Sequence, residues 1–117
     1  MNVFEDREKA FEAKYHLDEE LAFKVNARRD KLLGLWVADK LGLGGADAEA
    51  YARAVIEADF SDPGHAGMLS KLVQDLEAKQ IPVDAERLHR EMDRLLAVAK
   101  QQIVSEVAAG KQDISPE

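Results

Sequence analysis

The hydrophobic residues of this chain recur at the spacing of helices. The longest pattern begins near Asp18, a predicted N-cap followed by acidic residues that complement the helix dipole in the first turn. Glycines between residues 42 and 45 provide the stop, so the pattern predicts a helix that ends near Leu41. Its apolar stripe widens in the second half and contains Leu21, Val25, Leu32, Leu33, Leu35, Trp36, Val37, Leu41 and Leu43.

Three shorter patterns predict three further helices. The second opens at Asp47 and closes at residues 61–64, a turn sequence with a proline that cannot continue a helix interior. The third ends before Pro82, and the fourth runs from its N-cap, Asp84, to Gly110. The apolar positions are Ala48, Tyr51, Ala52, Val55, Ile56 and Phe60, then Met68, Leu69, Leu72, Val73 and Leu76, then Leu88, Met92, Leu95, Leu96, Ala99, Ile103 and Val107.

These stripes predict how the helices are arranged. Because each stripe faces only one side, the helices must pack against one another, and short loops favour antiparallel neighbours. We therefore predict an all-α four-helix bundle over residues 17–110, followed by a polar tail at 111–117. Runs of alternating apolar and polar residues are missing and Thr is absent, so no β-strand is predicted.

Residues 1–16 form a separate N-terminal arm in this prediction. They are strong helix formers, with a Glu5/Lys9 pair and with Phe4, Phe11 and Tyr15 along one narrow stripe. Ordering sixteen backbones costs about 16 to 32 kcal/mol, whereas burying three aromatic rings returns only about 11 to 19 kcal/mol. The arm therefore needs a surface to lie on if it is to be ordered as a helix. Either it continues the first helix and docks on the bundle, or it stays loose until a partner supplies a groove.

Composition narrows the function classes. The chain has no Cys, which excludes disulfides, thiolate zinc sites and a cysteine nucleophile. The net charge is −7, and most of the acidic excess lies in residues 41–117, which disfavours binding to nucleic acid or anionic lipid. No signal peptide or membrane-spanning stretch is recognised. We expect a cytoplasmic protein that does not insert into membranes and is monomeric when free.

The remaining candidate sites are weak. Glu86 and His89 have the Glu-x-x-His spacing of bundle metal sites, but the ligand set is incomplete, so a solvated surface pair is the better interpretation. No serine lies in a Gly-rich elbow, and we predict no catalytic residue, no metal and no cofactor. Trp36 is assigned to the core. One basic patch is interpreted as an ordinary solvated face in preference to a binding patch; it consists of Lys24, Arg28, Arg29 and Lys31.

Three runs of the sequence resemble a known family. They are Phe4 to Tyr15 (FEDREKAFEAKY), Asp18 to Lys24 (DEELAFK) and Ala27 to Trp36 (ARRDKLLGLW), with a further likeness from Leu95 to Ile103. All resemble the zeta subunit of alphaproteobacterial F-type ATP synthases, and the likeness spans essentially the whole chain. Asp30 departs from the pattern, in which Asn is usual after the two arginines.

The resemblance implies a natural inhibitor of ATP hydrolysis, not an enzyme, that is cytoplasmic and peripheral to the membrane-bound synthase. Its arm would insert at a catalytic interface between the large subunits of the enzyme head, beside the central stalk, and block rotation in the hydrolysis direction. The residues implied to contact the partner are Phe4, Glu5, Asp6, Arg7, Glu8, Lys9, Phe11, Lys14 and Tyr15, with a secondary contact at Lys24, Arg28 and Arg29.

Two other classes stay open beside this interpretation. One is a helical adaptor, in which the arm is merely the first turns of the first helix. The other is a metal-binding or nucleotide-binding bundle.

Overall fold

The computed structural model describes residues 19–62 and 64–110. Within these ranges the chain forms four helices and no strand, as predicted: α1 is Glu19–Lys40, α2 is Gly45–Ser61, α3 is Ala66–Ala78 and α4 is Ala85–Ala108. None of these helices combines the length and apolarity needed to span a membrane. The predicted N-cap at position 18, the arm and the tail at 111–117 lie outside the described residues.

Two helix starts can be compared with the sequence pattern. The N-cap prediction for Asp84 is confirmed, since its Oδ1 accepts the backbone N–H of Glu86 at 3.0 Å and that of Arg87 at 3.3 Å. The second helix begins two residues earlier than expected, at Gly45. Asp47 therefore lies in the first turn of α2, where its carboxylate complements the dipole without acting as the cap.

The central helix of the bundle is α1. It packs against both α2 and α4, while α3 packs on α2 and also contacts α1. The backbones of α1 and α2 come very close at Gly34, where a Cβ atom would lie 2.8 Å from the Cα of Ala52. Because no side chain fits there, glycine is the residue that permits this close packing, although its helix propensity is low.

The apolar core has two parts of unequal size. The larger core contains residues from all four helices: Leu33, Val37, Val55, Met68, Leu72, Leu76, Leu88, Met92 and Leu95. The smaller core lies near the beginning of α1 and consists of Leu21, Val25, Ala99 and Ile103. Since the beginning of α1 contacts the second half of α4, these two helices are antiparallel.

The buried arc of α1 is wider than the predicted apolar stripe. Leu33 and Val37 are fully buried, while Leu32 and Trp36 pack at the edge of the larger core. A helix with neighbours on several sides buries more of its circumference than a one-sided stripe. That wider arc also includes charged residues, which the sequence pattern had placed on the surface.

Candidate partner-binding surface

A group of ionisable side chains, buried except for the partly exposed His65, joins α1 to the end of α2. Arg29 donates from Nε to Oδ1 of Asp30 at 3.0 Å and from Nη2 to Oδ2 of Asp59 at 3.3 Å, and all three residues are buried. His65, just before α3, places its Nδ1 2.6 Å from Oδ1 of Asp59. We call these four residues the buried ionic cluster. It fixes the corner between α2 and α3 against α1.

His65 adopts an uncommon backbone conformation in this cluster. Its φ angle is 70°, in the left-handed region where residues other than glycine are disfavoured. Its Nδ1 is also 3.3 Å from Nη2 of Arg29. Because arginine can only donate and a carboxylate can only accept, Nδ1 serves one of them at a time. The shorter distance favours an Nδ1–H that donates to Asp59.

The two carboxyl groups of the cluster differ in their protonation. Burial, followed by the neighbouring Asp59, raises the pKa of Asp30 to about 8, despite the Arg29 guanidinium. No described group lies in hydrogen-bond geometry with its Oδ2 atom. For Asp59, burial pushes the pKa upward, but the neighbouring Asp30 carboxyl, His65 and Arg29 outweigh burial and hold the pKa below its ordinary value. At neutral pH, Asp30 therefore keeps its proton and Asp59 carries the charge that pairs with Arg29.

The predicted basic patch is largely occupied by contacts within the chain. Arg28 donates to both carboxylate oxygens of Glu106 at 2.6 and 2.8 Å, and to Oε1 of Gln102 at 2.9 Å. Lys24 lies with Nζ 3.7 Å from Glu20 on the same helix. Arg29 points inward, so the solvated-face interpretation does not describe it, and direct contact with a partner would require α1 and α2 to separate.

Two phenylalanines form an exposed aromatic pair between α1 and α2. The rings of Phe23 and Phe60 stack with centroids 4.5 Å apart and an interplanar angle of 25°, yet the residues are 54% and 46% exposed. The sequence pattern had placed Phe60 on the apolar face of its helix. At that turn of α2 the buried position is taken by Asp59 instead, which leaves the adjacent Phe60 ring at the surface.

A cleft of about 400 Å³ lies beside Trp36, at the opposite end of α1 from the aromatic pair. The Nζ atom of Lys40 is 4.4 Å from the Trp36 ring centroid, and the guanidinium carbon of Arg87 is 5.7 Å from it. Both distances are within the range of cation–π contacts. Trp36 is thus half-buried at the edge of the larger core, with two cations near its ring.

The Glu-x-x-His pair, interpreted from the sequence as a solvated surface pair, lies at the surface. Glu86 and His89 are both exposed, and Glu86 lies 3.8 Å from Arg90 in a surface pair. No group of three or more His, Asp or Glu side chains in residues 19–62 and 64–110 has the geometry to hold a metal ion.

These observations define a small all-helical bundle whose buried charges hold its own helices together and whose exposed aromatic residues lie near the beginning of α1. The sequence profile of the family described as ATPase inhibitor subunit zeta matches residues 1–102, which include the arm. The chain belongs to this family. The resemblance seen in the sequence is therefore confirmed, and membership supports an inhibitory role toward the ATP synthase and an interaction with that enzyme.

A solved structure agrees with the fold. The chain is similar to a protein whose structure was determined by NMR in solution, with 43% sequence identity and a TM-score of 0.64. The match covers 72% of this chain and 95% of that chain. A search of curated proteins finds no match.

Proposed function

We propose that this protein inhibits ATP hydrolysis by inserting its N-terminal arm at a catalytic interface between the large subunits of the ATP synthase head, beside the central stalk. The observation that carries the proposal is the family match, because it covers the arm as well as the bundle. Membership of an inhibitor family also supports a protein that catalyses no reaction itself.

The composition of the arm fits this mechanism. Phe4, Phe11 and Tyr15 would bury in the groove of the partner, as aromatic anchors do at other protein interfaces. The charged residues around them would pair with the walls of the groove: Glu5, Asp6, Arg7, Glu8, Lys9 and Lys14. Among residues 19–62 and 64–110, both parts of the apolar core are built from residues beyond position 20, which leaves the arm as a separate segment in this proposal.

We propose a secondary contact through Lys24 and Arg28, which lie in the first half of α1, the half that follows the arm in the sequence. The charge of Arg29 is already committed to Asp59 inside the bundle. Arg29 therefore acts on the partner only indirectly, by holding this part of α1 in place.

Inhibition of a cognate ATP synthase tests the proposal directly. We expect full-length protein to stop ATP hydrolysis and a variant lacking residues 1–16 to stay folded by circular dichroism but lose inhibition. Phe11→Ala should weaken binding by about 2 kcal/mol if the ring is a central anchor. Glu12→Ala, one residue away and outside the proposed contact set, is the matched control and should inhibit like the wild type. Inhibition retained by the truncated protein would refute the insertion mechanism.

Hydrogen exchange on the free protein separates the inhibitor from the adaptor alternative. Fast exchange of the amides in residues 1–16 is expected for an arm that waits for a partner. Strong protection there, equal to that of α1, would favour an adaptor whose first helix is simply longer.

The nucleotide alternative has one observation in its favour, the cleft beside Trp36. An aromatic ring flanked by Lys40 and Arg87 can hold a base by stacking and a phosphate by charge. Because Trp36 is the only Trp, its fluorescence reports on this cleft alone. A saturable change on titration with ADP, lost in Lys40→Ala and Arg87→Ala, would support nucleotide binding, and a flat titration would remove this candidate.

A further inference from the structure

The exposed aromatic pair is unusual among the large apolar side chains of the described residues. In residues 19–62 and 64–110 only Phe23, Phe60 and Val104 are both large and exposed, and Val104 lies alone on α4. Scattered single exposures are normal for a soluble protein. Two stacked rings contributed by different helices form a small continuous patch, which calls for an explanation.

Buried contacts anchor the backbone on both sides of the patch. Phe60 directly follows Asp59, whose carboxylate contacts Arg29 at 3.3 Å and His65 at 2.6 Å. Phe23 is carried by α1 between Leu21 and Val25, which are both buried in the smaller core. A surface whose backbone is fixed on both sides loses little conformational entropy when it binds.

The position of the patch points to the arm. Phe23 is four residues after Glu19, where α1 begins, a distance of about 6 Å along a helix axis. A surface that receives the last residues of the arm is therefore within reach of Phe23 and of its neighbour Phe60.

The area of the patch argues against a second copy of this chain as the occupant. Two phenylalanine side chains of about 200 Å² each, roughly half exposed, present about 200 Å² in total. A stable interface buries about 800 Å² on each partner. The patch is too small to hold a partner alone but is well suited to extend a contact made by the arm.

The arm itself is a poor occupant for a reason found in its sequence. To cover the patch, the chain would have to reverse direction just before α1. Residues 1–18 contain neither Gly nor Pro, so directly before α1 such a reversal would depend on Asp18, the one residue type there that favours turns. A partner that already holds the arm needs no such turn.

We propose that the Phe23–Phe60 pair is a second docking surface, which packs against an apolar area of the enzyme head bordering the groove that receives the arm. This inference rests on the proposed function. The arm supplies the blocking element, and the aromatic pair anchors the bundle at the entrance and so slows the escape of the arm.

Inhibition by full-length variants tests this surface. The double variant Phe23→Ala, Phe60→Ala should need at least about ten times more protein for half-maximal inhibition, mainly through faster release. Val104→Ala removes the third exposed apolar side chain and should inhibit like the wild type. Circular dichroism and thermal melting verify that the double variant is folded.

A crosslinking experiment gives a second, independent measurement. With Phe60→p-benzoylphenylalanine, illumination of the inhibited complex should attach the bundle to a large subunit of the head, whereas the same change at Val104 should not. Absence of crosslinking at position 60, together with unchanged inhibition by the double variant, overturns the docking surface while leaving the inhibitory arm intact.

Other outcomes identify other occupants and also overturn the proposal. Stronger inhibition by the double variant would mean that the pair restrains the arm in the free protein. Wild-type dimers that become monomers in the double variant would mean that a second copy covers the pair. If wild-type protein does not inhibit at all, the proposed function fails first and the docking surface fails with it.

Discussion

At one end of the bundle, side chains from all four helices meet in a large apolar core around Leu33 and Leu72. At the other end, where α1 begins, the smaller core has four buried residues within the described part of the chain, and the buried ionic cluster and the Arg28–Glu106 pair add polar contacts to it. Apolar packing changes little with pH or salt, whereas charge pairs respond to both. The end from which the arm leaves is therefore the one whose stability the surroundings can adjust.

Among the substitutions that compare the two ends, Arg29→Ala should cause the largest loss of stability. Removing the guanidinium takes the cationic partner from the buried Asp59 carboxylate and leaves it beside the Asp30 carboxyl and His65, which is expected to lower the free energy of unfolding by about 3 to 5 kcal/mol. Urea denaturation measures the loss. Arg53→Ala, an exposed arginine on α2, should change stability by less than about 0.5 kcal/mol. Equal losses in both variants would mean that the ionic cluster contributes nothing specific.

Leu72→Ala should instead destabilise the end of the bundle that holds the larger core. Leu72 is fully buried in the larger core, so the truncation should leave a cavity and cost about 3 kcal/mol. Unlike the loss caused by Arg29→Ala, this loss should be the same at pH 5 and at pH 9. Urea denaturation at both values checks it, and a pH-dependent difference would contradict the assignment of the two ends.

Asp30→Asn tests how strongly stability depends on pH through the buried ionic cluster. The pKa of Asp30 is about 8 in the folded protein and near 3.8 when the group is free, so between these values the folded state binds a proton that the unfolded state does not. Stability should therefore fall as pH rises from about 4 to 8. In the wild type this fall should lower the melting temperature by several degrees. In the variant the amide cannot titrate, so the decline should become smaller.

Melting curves from pH 5 to 9 test this prediction. Asp39→Asn, an exposed aspartate on the same helix, is the matched control and should keep the wild-type profile. The pKa of Asp59 is shifted downward, so its contribution is lost only as pH falls below its ordinary range and does not hide the effect. A variant with the full wild-type decline would show that another group is responsible.

Arg28→Ala should have the smallest effect. Arg28 and Glu106 are each about one quarter exposed, and partly solvated pairs contribute about 1 kcal/mol or less. Thermal melting at low and high salt should show a small loss that disappears as salt screens the wild-type pair. A loss as large as that of Arg29→Ala would place this pair among the buried interactions.

Much of the fold could be predicted because it follows from local spacing. The apolar stripe of α4, from Leu88 to Ile103, matches the buried residues of that helix, and Asp84 has the residue type and position of an N-cap. Gly34 lies inside the predicted first helix, where an interior glycine is a signal for close packing. Its contact with Ala52 could not be predicted, since it depends on the register of two helices.

The buried ionic cluster could not be predicted for the same reason. Arg29 lies four residues from both Val25 and Leu33, a buried position by spacing, but its charge favours a surface assignment. Its partner Asp59 is thirty residues away, and no local pattern connects them. The arm residues proposed to contact the enzyme rest on the family resemblance and remain predictions, since they lie outside the described residues.

The 22 residues of α1 make a continuous rod of about 33 Å, and this has a mechanical consequence. A pull on the arm along the helix axis would load the contacts of α1 with α2 and with α4 at the same time, in shear, so that many interactions share the force. The close fit of Gly34 against Ala52 opposes sliding between two of these helices. If the arm inserts as proposed, a rotor that pushes on it would load α1 and, through α1, both neighbouring helices.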